Sequence, residues 1–168
     1  AWLQGLSPKE NREIPPLRYE IVHQLKREFP GLTIAINGGL KDDAAIAAQL
    51  EVLDGVMIGR EAYYNPYVMA GWDARFFSDS REIPTRAEVE ARMVAYCERQ
   101  QAEYGVPWPH IVRHMLGLYN GLPGARKWRQ VWSDHRLKAL PAAEVMVRAR
   151  QAMAASAASA SEAASASS

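Results

Sequence analysis

Two short glycine-bearing strings carry the most legible chemistry in this chain, Asn37-Gly38-Gly39 and Gly59-Arg60. Each ends an apolar run, Leu32–Ile36 (LTIAI) in the first case and Gly55–Ile58 (GVMI) in the second. Glycine lets an anion approach the main chain, where neighbouring N–H groups point at it. A helix starting near Arg60 adds the positive end of its dipole, and the guanidinium adds a fixed cation with forked donors. Taken alone, an NGG string is more often a plain turn, and a GR pair says less still. Two such loops, each after a strand and one βα unit apart, favour a phosphate site, which the last two βα loops of a (β/α)8 barrel often form.

A second constellation is basic. Arg126 and Arg129 stand three apart on an expected helix and so share a face. Trp128, Val131, Trp132 and His135 make the opposite, core-facing stripe. Arginine pairs suit phosphates and base edges, and Lys127 would be a looser phosphate contact. The stretch 109–150 holds eight Lys/Arg against two Asp/Glu, a net of +6, and the rest of the chain is −5. That asymmetry points to an anionic partner, the alternative being a solvated basic face. His110 and His114 have a spacing that can bind metal, but no carboxylate or cysteine pattern completes a site, so no metal is expected. Cys97, the single cysteine, falls on the apolar face of an expected helix and is read as an inert buried thiol.

The elements that must position these groups change character along the chain. A long opening loop with Gly5, Pro8, Pro15 and Pro16 carries Lys9 and Arg12 around Glu10 and Asn11. A helix is expected over Tyr19–Phe29, with Ile21, Val22, Leu25 and Phe29 inward. The runs Leu32–Ile36 and Gly55–Ile58 read as buried parallel strands. Asp42 or Asp43 caps a helix between them that reaches Glu51, with Ile46 and Leu50 inward. Helix, strand, helix, strand is α/β punctuation, most simply a parallel sheet with right-handed crossovers. Beyond Arg60 the strands stop. A short helix is expected over Glu61–Gly71 and a connector over Phe76–Pro84. Thr85 and Glu88 form a capping-box pattern opening a helix with Val89, Met93, Tyr96 and Cys97 on its apolar face. Helices over His110–Tyr119, Ala125–His135 and Ala142–Met153 follow. The Ala/Ser tail has nothing large to bury, so disorder is expected there. The resulting division is an α/β part over 1–75, an all-helical part over 76–153 and a disordered tail over 154–168.

Composition fits this picture. The chain has 168 residues, 48% of them apolar and 23% charged. No apolar run nears the roughly 20 residues of a membrane span, and no signal-peptide pattern opens the chain. One cysteine excludes an internal disulfide framework. A cytoplasmic location is the default expectation. The start at Ala1, within a loop, is read as a sign that the natural N-terminus lies upstream.

Longer strings sharpen the reading. Gly5–Arg12 (GLSPKENR), Ala35–Gly39 (AINGG), Asp54–Tyr63 (DGVMIGREAY) and His114–Arg129 (HMLGLYNGLPGARKWR) resemble the tRNA-dihydrouridine synthases, the A type in particular, over roughly residues 1–136. The resemblance implies the last strands of an FMN-binding (β/α)8 TIM barrel, followed by a C-terminal helical tRNA-binding domain. Asn37, Gly38, Gly39, Gly59 and Arg60 would then bind FMN, and Lys9, Arg12, Arg126 and Arg129 would contact tRNA. The implied activity is reduction of uridine to 5,6-dihydrouridine at D-loop positions 20 and 20a, with NADPH reducing FMN and the target base flipped out. The family's proton-donating cysteine would lie upstream, so no catalytic residue is expected in this chain. The chain alone is expected to be an inactive, monomeric C-terminal fragment. Two alternatives stay open: a tRNA-binding module without catalysis, and another FMN-dependent barrel oxidoreductase.

Overall fold

The computed structural model describes residue 5, residues 7–10 and residues 16–165. It divides into two compact units, Ala1–Gly59 and Arg60–Ser168.

In the first unit, helix α1 (Tyr19–Glu28) precedes strand β1 (Ala35–Asn37), helix α2 (Asp43–Leu50) and strand β2 (Gly55–Met57). The strands pair in parallel, with Ala35 opposite Gly55, Ile36 opposite Val56 and Asn37 opposite Met57. Asp42 caps α2 by accepting the Ala45 N–H at 2.9 Å, which satisfies one of the helix's orphan donors. A side chain at Gly55 would meet the Ala35 Cβ at 3.3 Å, so glycine lets the strand starts close up. The core is small: Ile36, Leu40 and Leu53 are buried, with Tyr19, Val22, Ile34, Ala45, Val56 and Ile58 packed against them.

Several expectations change here. Both strands are three residues long and only partly covered, where buried strands of five and four residues were expected. Of the expected inward stripe of α1, Val22 packs on the core, while Ile21, Leu25 and Phe29 are 46%, 42% and 51% exposed. Ile46 is buried but Leu50 is exposed. The reason is shared: a pair of three-residue strands offers each helix a contact patch about one side chain wide.

The second unit is all-helical. It comprises α3 (Arg60–Tyr64), a 3-10 turn (Pro66–Gly71), α4 (Trp72–Phe77), α5 (Arg86–Tyr104), α6 (Trp108–Val112), α7 (Ala125–Trp132), a 3-10 turn (His135–Leu137) and α8 (Ala142–Ser165). The capping box at the start of α5 is complete, with Thr85 N–H donating to Glu88 Oε2 at 2.7 Å and Glu88 N–H to Thr85 Oγ1 at 3.2 Å. Gly105, at φ +67°, ends the helix in the left-handed conformation that glycine adopts without steric cost.

The division between units falls at Gly59/Arg60 rather than near residue 75. Residues 60–71 pack on the helical part: a Cβ on Gly117 would lie 2.2 Å from the Tyr64 carbonyl oxygen. The Arg86 guanidinium lies 3.8 Å over the Tyr67 ring and donates to the Leu118 carbonyl at 3.0 Å. The expected Glu61–Gly71 helix is broken at Asn65 by Pro66, and Phe76 lies inside α4 rather than in a connector. The expected His110–Tyr119 helix ends at Val112. Past it the chain turns through i→i−3 bonds, Met115 N–H to Val112 O and Leu118 N–H to Met115 O, which bring Gly117 under Tyr64. Helix α7 ends at Trp132, so His135 opens the following turn and is exposed. Finally, α8 continues through the Ala/Ser segment to Ser165, where disorder was expected. Alanine is the strongest helix former and no glycine or proline interrupts the run, so a helix already fixed by its first turns simply propagates.

Glu90 sits at the centre of this unit with no exposed surface. Its Oε1 accepts from Trp128 Nε1 at 2.7 Å and Trp132 Nε1 at 3.2 Å. Its Oε2 accepts from Tyr119 Oη at 3.1 Å and Arg150 Nε at 2.7 Å. Helices α5, α7 and α8 and the 113–122 turns therefore meet on one carboxylate. Val94 and Cys97, one and two turns further along α5, are buried in the same core with Val112, Val145 and Ala149. Burial pushes the Cys97 thiol up to about 11.

Removing a buried charge that four donors face leaves those donors unsatisfied. Glu90→Ala is expected to destabilise the helical unit by about 3–5 kcal/mol, measured by denaturant unfolding followed through tryptophan fluorescence. A midpoint essentially unmoved would show that the carboxylate is dispensable.

Candidate functional site

Because β1 and β2 run parallel and in register, Gly38-Gly39 and Ile58-Gly59 leave the same end of the sheet, side by side. Gly38 and Gly39 have φ values of +134° and +63°, which side chains rarely adopt. The Tyr19 hydroxyl donates to the Gly38 carbonyl. In a trans peptide the next N–H points the opposite way, so this bond turns the Gly39 N–H away from Tyr19. Gly59 differs. Its φ is not left-handed, and a Cβ there would meet nothing nearer than Met57 Sδ at 4.0 Å. Neither backbone conformation nor packing requires glycine at that position; what it does is leave the strand end bare. Asn37, Gly39 and Gly59 are all exposed.

The opposite end of the strand pair is clamped. Lys26 Nζ donates to the Asp54 carboxylate at 2.7 and 2.9 Å and to the carbonyls of Pro30 and Leu32 at 3.1 and 2.8 Å. Asp54 also accepts the Ile34 N–H at 2.8 Å, and its own N–H reaches the Ile34 carbonyl at 3.1 Å. These bonds tie α1 and the entries of both strands together, and so set the register that places the two glycine loops level. Hydrogen bonds from the Lys26 ammonium, and after it from the Ile34 N–H, hold the Asp54 carboxyl below the usual range.

In the second unit, Arg60 is the first residue of α3 and is exposed. Arg126, Lys127 and Arg129 are exposed on α7, while Trp128 and Trp132 are buried on its other side. Among the described residues, neither Arg126 nor Arg129 has an ion-pair or hydrogen-bond partner. Lys9 is exposed in a turn that Ser7 and Glu10 close reciprocally, through bonds of 2.8 and 3.3 Å. Arg12 lies outside the described residues. His110 and His114 do not converge on a site: His114 Nδ1 is 3.0 Å from Tyr63 Oη and its Nε2 accepts from Arg113 Nε at 3.1 Å. No group of three or more His, Cys, Asp or Glu able to hold a metal occurs among the described residues. No described helix is long and apolar enough to cross a membrane.

Three positioning groups carry little signal in the sequence. Tyr19 reads there only as the start of a helix. Glu90 reads as a surface charge, although it lies on the stripe of Val94 and Cys97 and two tryptophans one turn apart need an acceptor for their indole N–H groups. The Tyr63–His114 bond spans 51 positions, and no local pattern marks it.

Comparison with known proteins adds an independent line. The family model described as Dihydrouridine synthase (Dus) matches residues 3–157. The chain is similar to the tRNA-dihydrouridine(20/20a) synthase of Vibrio cholerae, 49% identical over 149 residues, covering 89% of this chain and 45% of the relative. It is 52% identical over 139 residues to the protein of the same name from Escherichia coli K12, covering 83% and 40%. The Pseudomonas aeruginosa protein is 47% identical over 154 residues, covering 92% and 46%. The chain thus spans less than half the length of these relatives.

The clamp has a pH signature. A carboxyl depressed in the folded state contributes stability above its unfolded value, which is lost as pH falls through the folded value. Asp54→Asn is expected to lower stability at neutral pH and to flatten its decline on acidification below about pH 4. Circular dichroism of both proteins through an acid titration measures this; identical acid limbs would count against the clamp.

Proposed function

This chain belongs to the dihydrouridine synthase family, and we propose that it forms part of a flavoenzyme reducing uridine to 5,6-dihydrouridine at D-loop positions 20 and 20a of tRNA. The observation that carries the reading is the pair of glycine loops leaving the same end of an in-register parallel strand pair. The residues present suit a flavin phosphate. Gly38 and Gly39 hold a conformation closed to larger side chains, Tyr19 fixes their shared peptide, and Gly59 leaves its strand end open. In this reading Asn37, Gly38, Gly39, Gly59 and Arg60 hold FMN, through backbone N–H groups and one guanidinium. FMN supplies the hydride chemistry, with NADPH as donor.

The two strands are read as the last two of a (β/α)8 barrel. Parallel sheets are stable with both faces covered, and the half-exposed β1, β2 and α1 fit a larger sheet. The helical unit is read as the tRNA-binding domain, with Arg126 and Arg129 facing phosphates or base edges, and Lys9 and Arg12 contributing from the opening loop. Cys97 does not serve as proton donor: it is buried in the helical core. The protein is proposed to act as a cytoplasmic monomer. A second reading, an RNA-binding module without catalysis, is favoured by the exposed arginine face, which stands independently of the glycine loops.

The two sites are separable by mutation. Arg60→Ala is expected to lower bound flavin and leave tRNA affinity intact. Arg126→Ala combined with Arg129→Ala is expected to weaken tRNA binding about tenfold or more, and to reduce the slope of log affinity against log salt by about one per arginine. Flavin absorbance and filter binding give the two readouts. A flavin-loaded full-length protein that left tRNA uridine unreduced in the presence of NADPH would reject the enzymatic reading.

A further inference from the structure

The geometry points to an RNA-base platform at Tyr63, with Arg113 beside it to take the phosphate of the stacked nucleotide; this rests on the tRNA-binding reading above. Tyr63 and Tyr64 are 52% and 64% exposed. The neighbours of the Tyr63 ring brace it without stacking on it: Tyr64 lies at 5.6 Å and 81°, His114 at 5.9 Å and 72°. An exposed tyrosine ordinarily swings between rotamers. This one is held.

The holding chain has a defined direction. A guanidinium can only donate, so His114 Nε2 must accept from Arg113 Nε at 3.1 Å. In the neutral ring the proton then sits on Nδ1 and is donated to Tyr63 Oη at 3.0 Å. The backbone beneath is fixed as well, because Gly117 admits the Tyr64 carbonyl where any side chain would collide at 2.2 Å. A ring already fixed loses little freedom when a base stacks on it.

The surroundings select the occupant. Arg113 uses Nε to fix its plane, and among the described residues its terminal nitrogens have no partner. It lies in the stretch of net charge +6. A fixed aromatic face with an adjacent cation matches an unpaired nucleobase and its phosphate, the combination by which single-stranded RNA is held. Stacking tolerates every base, so the platform contributes affinity and placement rather than sequence choice.

Tyr63→Leu in the full chain is expected to weaken binding of a tRNA transcript about tenfold with the salt slope unchanged, because stacking releases no counterions. Tyr63→Trp should bind as tightly as the wild type, and Tyr63→Phe, which keeps the ring but loses its tether, should fall between. Arg113→Gln should weaken binding and lower the salt slope by about one. Wild-type affinity in Tyr63→Leu and Arg113→Gln, alongside weakened binding in the Arg126/Arg129 double variant, would overturn the platform and leave the tRNA reading standing. A wild-type chain without salt-dependent tRNA binding would overturn both. If Tyr63→Leu fails to fold, the aromatic and Arg113 variants still decide the matter.

Discussion

A carboxylate sealed from water must have its charge met by the protein around it, and that requirement organises the helical unit. Glu90 meets it with two indole N–H groups on one oxygen and a phenol and a guanidinium on the other. The donors come from elements far apart in sequence, so the bonds form together only when α7, α8 and the 113–122 turns are all in place around α5. The helices are thereby fixed in rotation as well as position. With Trp128 and Trp132 turned inward to Glu90, the geometry of a helix leaves Arg126 and Arg129 facing outward. The basic face is the reverse side of the core.

The first unit is organised differently. Among its described residues it has four buried apolar side chains, Ile36, Leu40, Ile46 and Leu53, and relies on a polar clamp at the strand entries and one tyrosine bond at the strand exits. The clamp is exposed and modest in strength, as ion pairs near solvent are. Its effect is geometric: Asp54 reads the backbone of one strand entry and starts the other, so the two exits arrive level. The helical unit has a deep core with its chemistry on the outside, while this unit has a thin core with its chemistry at one end.

What could be read from sequence follows the range of the forces involved. The Asp42 cap and the Thr85–Glu88 box are local, each marked within four residues, and the βα alternation is built from short apolar runs that are themselves local. The glycine loops were legible because glycine at a strand end is itself a local signal. Strand lengths and the burial of α1 were not, since they depend on how much sheet surrounds them. Glu90 looked like one more charge on a helix, because what makes it central arrives from 29 to 60 positions away. In the Ala/Ser tail, what the residues lack for packing counts for less than what alanine contributes to helix propagation.

The place where the units divide has a practical meaning for anyone recombining this protein with a relative. Composition puts the seam near residue 75, where strands have given way to helices. The packing puts it between Gly59 and Arg60, because Tyr64 fills the gap left at Gly117 and Tyr67 lies beneath Arg86. A chimera cut at the later point would set the 60–71 segment of one parent against the Gly117 notch and Arg86 of the other. A cut after Gly59 carries those contacts across whole, and Arg60 travels with the helices.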